Sequence, residues 1–161
     1  MTCLYSEHRG RALRPGLWTI VAVLMLTLSG PAFSETPFNK DKPFAEHFLV
    51  LQISDSEPAK QAAVLSVAAN LIEYYGPDMV DIEVVAFGPG ISLVFADNEN
   101  VELVDSLAEQ GVRFDGCMNT IDTIVRKTGE KPDLNPNMIP VRAGVARILE
   151  LTESGYTLVR P

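Results

Sequence analysis

The sequence predicts an α/β fold, a three-layer α/β/α sandwich built on a mostly parallel five-stranded sheet. Three observations carry that expectation. Short apolar runs alternate five times with stretches of helical periodicity. The helical stretches supply the crossover connections that parallel neighbours require. Glycines close the helices where the periodicity ends, at Gly76, Gly111 and Gly155.

The elements follow in chain order. Residues 35–46 (ETPFNKDKPFAE) mix Pro and charge without period and read as a flexible lead-in. His47 to Ser54 is a short apolar run, expected as a central strand. Asp55-Ser56-Glu57-Pro58 opens a helix, with polar capping residues ahead of a Pro at an early helical position. Its expected buried face is Val64, Val67, Ala68, Leu71 and Tyr75. Val80 to Phe87 is the second strand. Asp81 and Glu83 alternate there with apolar neighbours, which suggests a strand near a sheet edge or one that starts outside the core.

Gly88-Pro89-Gly90 breaks that strand, and Ile91 to Ala96 is expected to form a short helix. Asn100 to Gln110 is a better helix, with Val101, Val104, Leu107 and Ala108 inward and Glu102, Asp105 and Glu109 on a solvated face. Val112 to Asp115 is the third strand and Asn119 to Thr128 the next helix. After a two-proline loop come a strand at Ile139 to Val141, a helix at Ala143 to Ser154 and a last strand at Tyr156 to Arg160.

Residues 1–34 read as a secretory signal. Arg9, Arg11 and Arg14 form a basic n-region, and Leu17 to Leu28 is uncharged but short for a membrane span. Ala32-Phe33-Ser34 places cleavage before Glu35. No cysteine follows the apolar run, against a lipid anchor, and Gly10 separates Arg9 from Arg11, against a twin-arginine signal. The alternative is an uncleaved anchor. The expectation is an exported, periplasmic protein with no stable membrane insertion after cleavage, whose remaining residues, lead-in plus a domain over 47–161, make one domain. The leader's three Arg and one Glu carry +2, so the net charge of −8 becomes −10. Such an acidic domain repels phosphate backbones, so no nucleic-acid partner is expected.

Cys117 is the one cysteine left beyond the leader. It stands where a strand ends and a helix begins, in Arg113-Phe114-Asp115-Gly116-Cys117-Met118-Asn119-Thr120. An exported protein usually pairs its cysteines. A leftover thiol is either buried and inert or exposed and reactive. A helix N-terminus favours the thiolate through its unpaired N–H groups and dipole. Gly116 permits a tight turn and close approach by a substrate, and Asn119 and Thr120 are capping types. Asp115 would oppose the thiolate if it faced it; Arg113 or Arg142 would favour it. Gly88, Pro89 and Gly90 read as a strand-ending turn or one wall of a cleft; the G-x-G-x-x-G and Walker spacings are missing. Asp55 reads as a helix cap, a base or an anion-facing gate. His47 lies at the opposite end of the sheet, and one His with no cysteine pair makes no zinc site. Three segments, at 54–56, 88–90 and 116–120, are expected at the carboxyl edge of the sheet, where ligands of such sheets gather.

The stretch from Phe48 to Pro161 resembles the DsrE-like (DsrE/DsrF) family of small sulfur-relay proteins. The matching pieces are Ile82 to Gly90, Gly111 to Phe114 with Cys117-Met118-Asn119-Thr120, Ile139-Pro140-Val141-Arg142-Ala143-Gly144-Val145-Ala146-Arg147, and Glu150-Leu151 to Gly155-Tyr156. The resemblance implies a five-stranded α/β/α sandwich and a homo-oligomer, often a trimer or hexamer. It implies that Cys117 accepts sulfane sulfur as a persulfide, from a donor protein or a small sulfur species, with no metal or organic cofactor. Two features depart from the pattern. Phe87 stands where many members carry His, and the relay members work in the cytoplasm. A non-catalytic binding module that uses the same cleft or the oligomer surface stays open beside this reading, as does a redox sensor in which Cys117 pairs with another subunit.

Overall fold

The structure, a computed structural model, describes residues 41–161. The expected signal at 1–34, its cleavage before Glu35 and the first part of the lead-in lie outside the described residues. The elements in order are β1 (His47–Ile53), α1 (Pro58–Tyr75), β2 (Val80–Ala86), a 3-10 segment (Gly88–Val94), α2 (Val101–Glu109), β3 (Arg113–Cys117), α3 (Met118–Thr128), β4 (Met138–Val141), α4 (Gly144–Glu153) and β5 (Thr157–Val159). The five strands form one sheet in the order β4-β3-β2-β1-β5, and every pair is parallel.

That order explains the layers. From β1 through β4 the chain steps one way across the sheet, so right-handed crossovers leave α1, α2 and α3 on one face. The step from β4 to β5 runs back past β1, and the same handedness puts α4 on the other face. The larger core holds Leu51 and Ile53 of β1, Ile82 and Val84 of β2 and Phe114 of β3 against Leu65, Leu107 and Ile121 of the three helices. The smaller one joins Val50 and Val85 to Ile148 and Leu151 of α4 and to Tyr156.

The edge reading of β2 is overturned. β2 is the middle strand and is buried along its whole length. Its alternation separates the two faces: Ile82 and Val84 face the larger core, and Asp81 and Glu83 face the α4 side, where both are fully buried. Carboxylates survive there because arginines come with them. Tyr75, expected inside, is 38% exposed and stacks on His47 at 4.0 Å between ring centroids. Val64 and Ala68 are buried as expected, and the inward line of α1 continues through Gln61, Leu65 and Ile72. Asp105 is not merely solvated: it accepts hydrogen bonds from the Asn135 and Asn137 side-chain amides at 2.8 and 2.9 Å, tying α2 to the loop before β4. The described end of the lead-in is also fastened, since Lys42 Nζ donates to the Pro77 and Val80 carbonyls at 2.8 and 2.9 Å. Among the described residues no helix is long and apolar enough to cross a membrane.

Gly90 lies where the 3-10 segment crosses the end of β1. A Cβ there would stand 2.6 Å from the Ile53 carbonyl oxygen and 2.8 Å from the Ser54 nitrogen, both backbone. Gly90→Ala is therefore expected to cost about 1–3 kcal/mol, the range for forced overpacking, seen as a lower denaturant midpoint at unchanged slope. An unchanged midpoint would contradict the close approach.

Candidate functional site

Cys117 occupies the N-cap position of α3, one residue earlier than the sequence places the helix start, and its backbone there is extended. Asn119 and Thr120 are thus inside the first turn, where backbone N–H groups have no partner within the helix. α4 also begins here. Its N-cap, Ala143, has no side chain to cap it, and its first turn has no acidic residue. A Cβ on Gly144 would lie 3.4 Å from Cys117 Cβ and 3.1 Å from Phe87 Cβ, so α4 starts against the cysteine. Two helix N-termini converge on one thiol.

The electrostatic outcome is a balance. Cys117 is only 5% exposed, and burial alone pushes its thiol up. The Thr120 hydroxyl and the N–H groups of Gly144, Thr120 and Asn119 outweigh burial, and the thiol is held below its ordinary value. The choice between buried-inert and exposed-reactive is therefore not the one this residue presents. It is buried and biased toward the thiolate.

The other expected site residues fall into two groups. Gly88 belongs to the site: it adopts φ +54 and donates its N–H to Thr120 Oγ1 at 3.1 Å, which ties the turn after β2 to the first turn of α3. Pro89 and Gly90 continue into the 3-10 segment, with Gly90 pressed on β1, so the glycine-proline run ends β2 by opening that segment. Gly116 has a different reason from the one expected. It lies within β3, and a Cβ would meet Met138 Sδ at 2.6 Å; a neighbouring side chain, not a substrate, occupies the space. Arg142 supplies its carbonyl to the Asn119 N–H at 3.2 Å. Among the described residues its guanidinium, 81% exposed, reaches Asp122 at 3.4 Å. Asp55 is not drawn in: it accepts from the Glu57 N–H at 3.0 Å and pairs with Lys60. Its role here is to hold the entry to α1.

Behind the site, on the α4 face, lies a buried charge network that the sequence reading missed. Register sets Arg113 beside Glu83 and Asp115 beside Val85. Arg113 donates to Asp81 at 2.7 Å and to Glu83 at 2.8 Å. Arg147 of α4 grips both Glu83 oxygens through Nε and Nη2, and its Nε also lies 3.3 Å from Asp115. The Tyr156 hydroxyl donates to Asp81 at 2.6 Å and accepts from Arg113 at 3.2 Å. Burial, then the bond to Asp81, pushes that phenol up to about 12. Asp115 therefore engages the network rather than the thiol. A cavity of about 410 Å³ opens beside it, with Asp115, Ile139, Val141, Arg142 and Arg147 in its walls; Cys117 does not line it. The signal for this network was present, as charges two apart on two neighbouring strands, Asp81/Glu83 and Arg113/Asp115.

The buried carboxyls Asp81, Glu83 and Asp115 crowd two guanidiniums, with Glu150 touching Arg147 from its exposed side, and Asp115 holds its proton past the ordinary carboxyl range. Burial, then the hydrogen bond and like charge of Glu83, raise Asp115 to about 8, while Glu83 is held below its usual range despite burial. Between the unfolded carboxyl value of about 4 and the folded value, the native state holds the extra proton. This contribution to stability is complete below pH 4 and is lost as pH rises through 8. Asp115→Asn keeps a donor toward Glu83 and removes the titration. Its stability relative to wild type is expected to rise between pH 5 and pH 9 in denaturant titrations; a constant difference would contradict the shared proton.

Fold and site define an α/β/α protein with an all-parallel sheet and a thiol capped by two helix starts at the carboxyl edge. No family model matches the chain, and no curated protein matches it. Among solved structures it is similar to MTH1491 from Methanobacterium thermoautotrophicum, described as a protein of unknown function. The identity is 30%, the match covers 72% of this chain and 100% of that one, and the TM-score is 0.64. The chain belongs to the family that includes MTH1491.

Proposed function

We propose that this protein carries sulfane sulfur on Cys117 as a persulfide, as an exported member of the DsrE-like family. The observation that carries the reading is the convergence of the α3 and α4 N-termini on a thiol held below its ordinary value. In the reaction, the Cys117 thiolate attacks the outer sulfur of a donor persulfide, R–S–SH. The donor S–S bond breaks, a new S–S bond forms at Cys117, and R–S⁻ leaves with the electron pair. The proton stays on the transferred sulfur, and no outside oxidant is needed. The helix starts stabilise the attacking thiolate. Phe87, beside Gly144, offers no proton, so acid–base work falls to the donor or to solvent.

A homo-oligomer, trimeric or hexameric, belongs to this reading. The α4 side of the sheet leaves apolar side chains in the open: Val145 and Leu149 on α4, Ile139 on β4 and Leu158 on β5. Register turns Ile139 to the same face as Asp115, and Leu158 to the same face as Val50. Apolar side chains gathered on one layer favour self-association.

The test is to treat the folded protein with polysulfide and read intact mass. A gain of one sulfur per chain supports the reading. No gain, with a thiol that reacts only after unfolding, supports the second reading, a non-catalytic binding module with a structural cysteine. The 5% exposure of Cys117 is the observation that favours that alternative.

A further inference from the structure

The first turn of α4 starts at Gly144, which is buried against Phe87 and Cys117, and the Arg142 carbonyl just ahead of it accepts from the Asn119 N–H. Its N-cap carries no side-chain bond. Val145 is 64% exposed, and the large buried side chains of the helix, Ile148 and Leu151, come after the first turn, where only Gly144 is buried. From within the helix, Arg147 adds a polar tie to the sheet, three residues beyond Gly144 and so on the same side of the helix. The Arg147 fork closes on both oxygens of Glu83, which is fully buried on the middle strand. A continuous chain of contacts thus runs from β2 through Glu83 and Arg147 to the start of α4, and from Gly144 to the cysteine.

We propose that Arg147 is a positioning residue for Cys117: its two-point grip on Glu83 helps fix the first turn of α4 and so the close approach of Gly144 to the cysteine. The inference rests on the thiolate reading above and adds to it the residue that sets one of the two helix starts. Asp115 takes part from β3 at 3.3 Å, and Glu150 touches the same guanidinium at 3.5 Å from α4 itself. A fork is needed, since one ammonium cannot span two oxygens in the same geometry.

The experiment is the pH profile of Cys117 alkylation in the folded protein, for wild type, Arg147→Met and Arg147→Lys. The midpoint reports the thiolate, whereas the plateau rate reports access. Losing one helix-terminus interaction is expected to lower the thiolate fraction at pH 7 by about two- to tenfold in Arg147→Met, as an upward shift of the midpoint. Arg147→Lys should fall between the two. Where Arg147→Met does not fold, the double variant Glu83→Gln/Arg147→Met leaves no stranded carboxylate at position 83, and the same upward shift is expected. A midpoint equal to wild type, with only the plateau changed, overturns the role of Arg147 and leaves the thiolate reading standing. A wild-type midpoint equal to that of the unfolded chain overturns both.

Discussion

Arg113→Ala is expected to lower the stability of the fold by about 3–5 kcal/mol, the cost of breaking a buried ion pair from one side. Arg113 is the shared donor for Asp81, Glu83 and Tyr156, and both carboxylates are fully buried on the middle strand. Removing it leaves Arg147 to serve Glu83 and takes from Asp81 its guanidinium partner at 2.7 Å. The loss compares with the whole stability of a domain this size, about 5–15 kcal/mol. Denaturant unfolding would read it as a collapse of the midpoint. Arg113→Lys should recover only a part, because the guanidinium makes its bonds in several directions at once. A loss under about 1 kcal/mol would mean that water reaches these carboxylates, contrary to their burial.

Cys117→Ser is expected to abolish persulfide formation and to leave the fold standing. The hydroxyl is smaller than the thiol but can accept from the same N–H donors, so no buried donor is stranded. Its stability should stay within about 1–2 kcal/mol of wild type. Polysulfide treatment followed by intact mass should show one added sulfur in wild type and none in the variant. A variant that still gains sulfur would end the assignment of the chemistry to Cys117.

Much of the architecture was legible in the residues, because strand and helix periods differ and the glycines mark the stops. The element order, the five strands and the placement of Cys117 at a strand–helix junction needed only local pattern. What failed needed distant partners. Asp81 and Glu83 looked like edge residues because an acid inside a strand normally seeks water. Only the pairing of β2 with β3, which sets Glu83 beside Arg113, shows why they can be buried. Arg147 was noticed as part of a run but not as a clamp, since Glu83 lies 64 residues away. Gly144 was likewise invisible as a partner of Cys117: its role depends on α4 crossing to the far face, a consequence of the strand order. Gly116 and Gly90 were legible as special positions, but the reason for each, Met138 in one case and the β1 backbone in the other, is a matter of packing.

The most direct test is the pH dependence of Cys117 alkylation in the wild-type protein, read by intact mass against the unfolded chain. Two helix starts acting on a buried thiol predict a midpoint clearly below that of the unfolded chain, with labelling of the folded state at neutral pH. Labelling that appears only on unfolding, or a midpoint at or above the unfolded value, would contradict it and leave Cys117 as a packing residue.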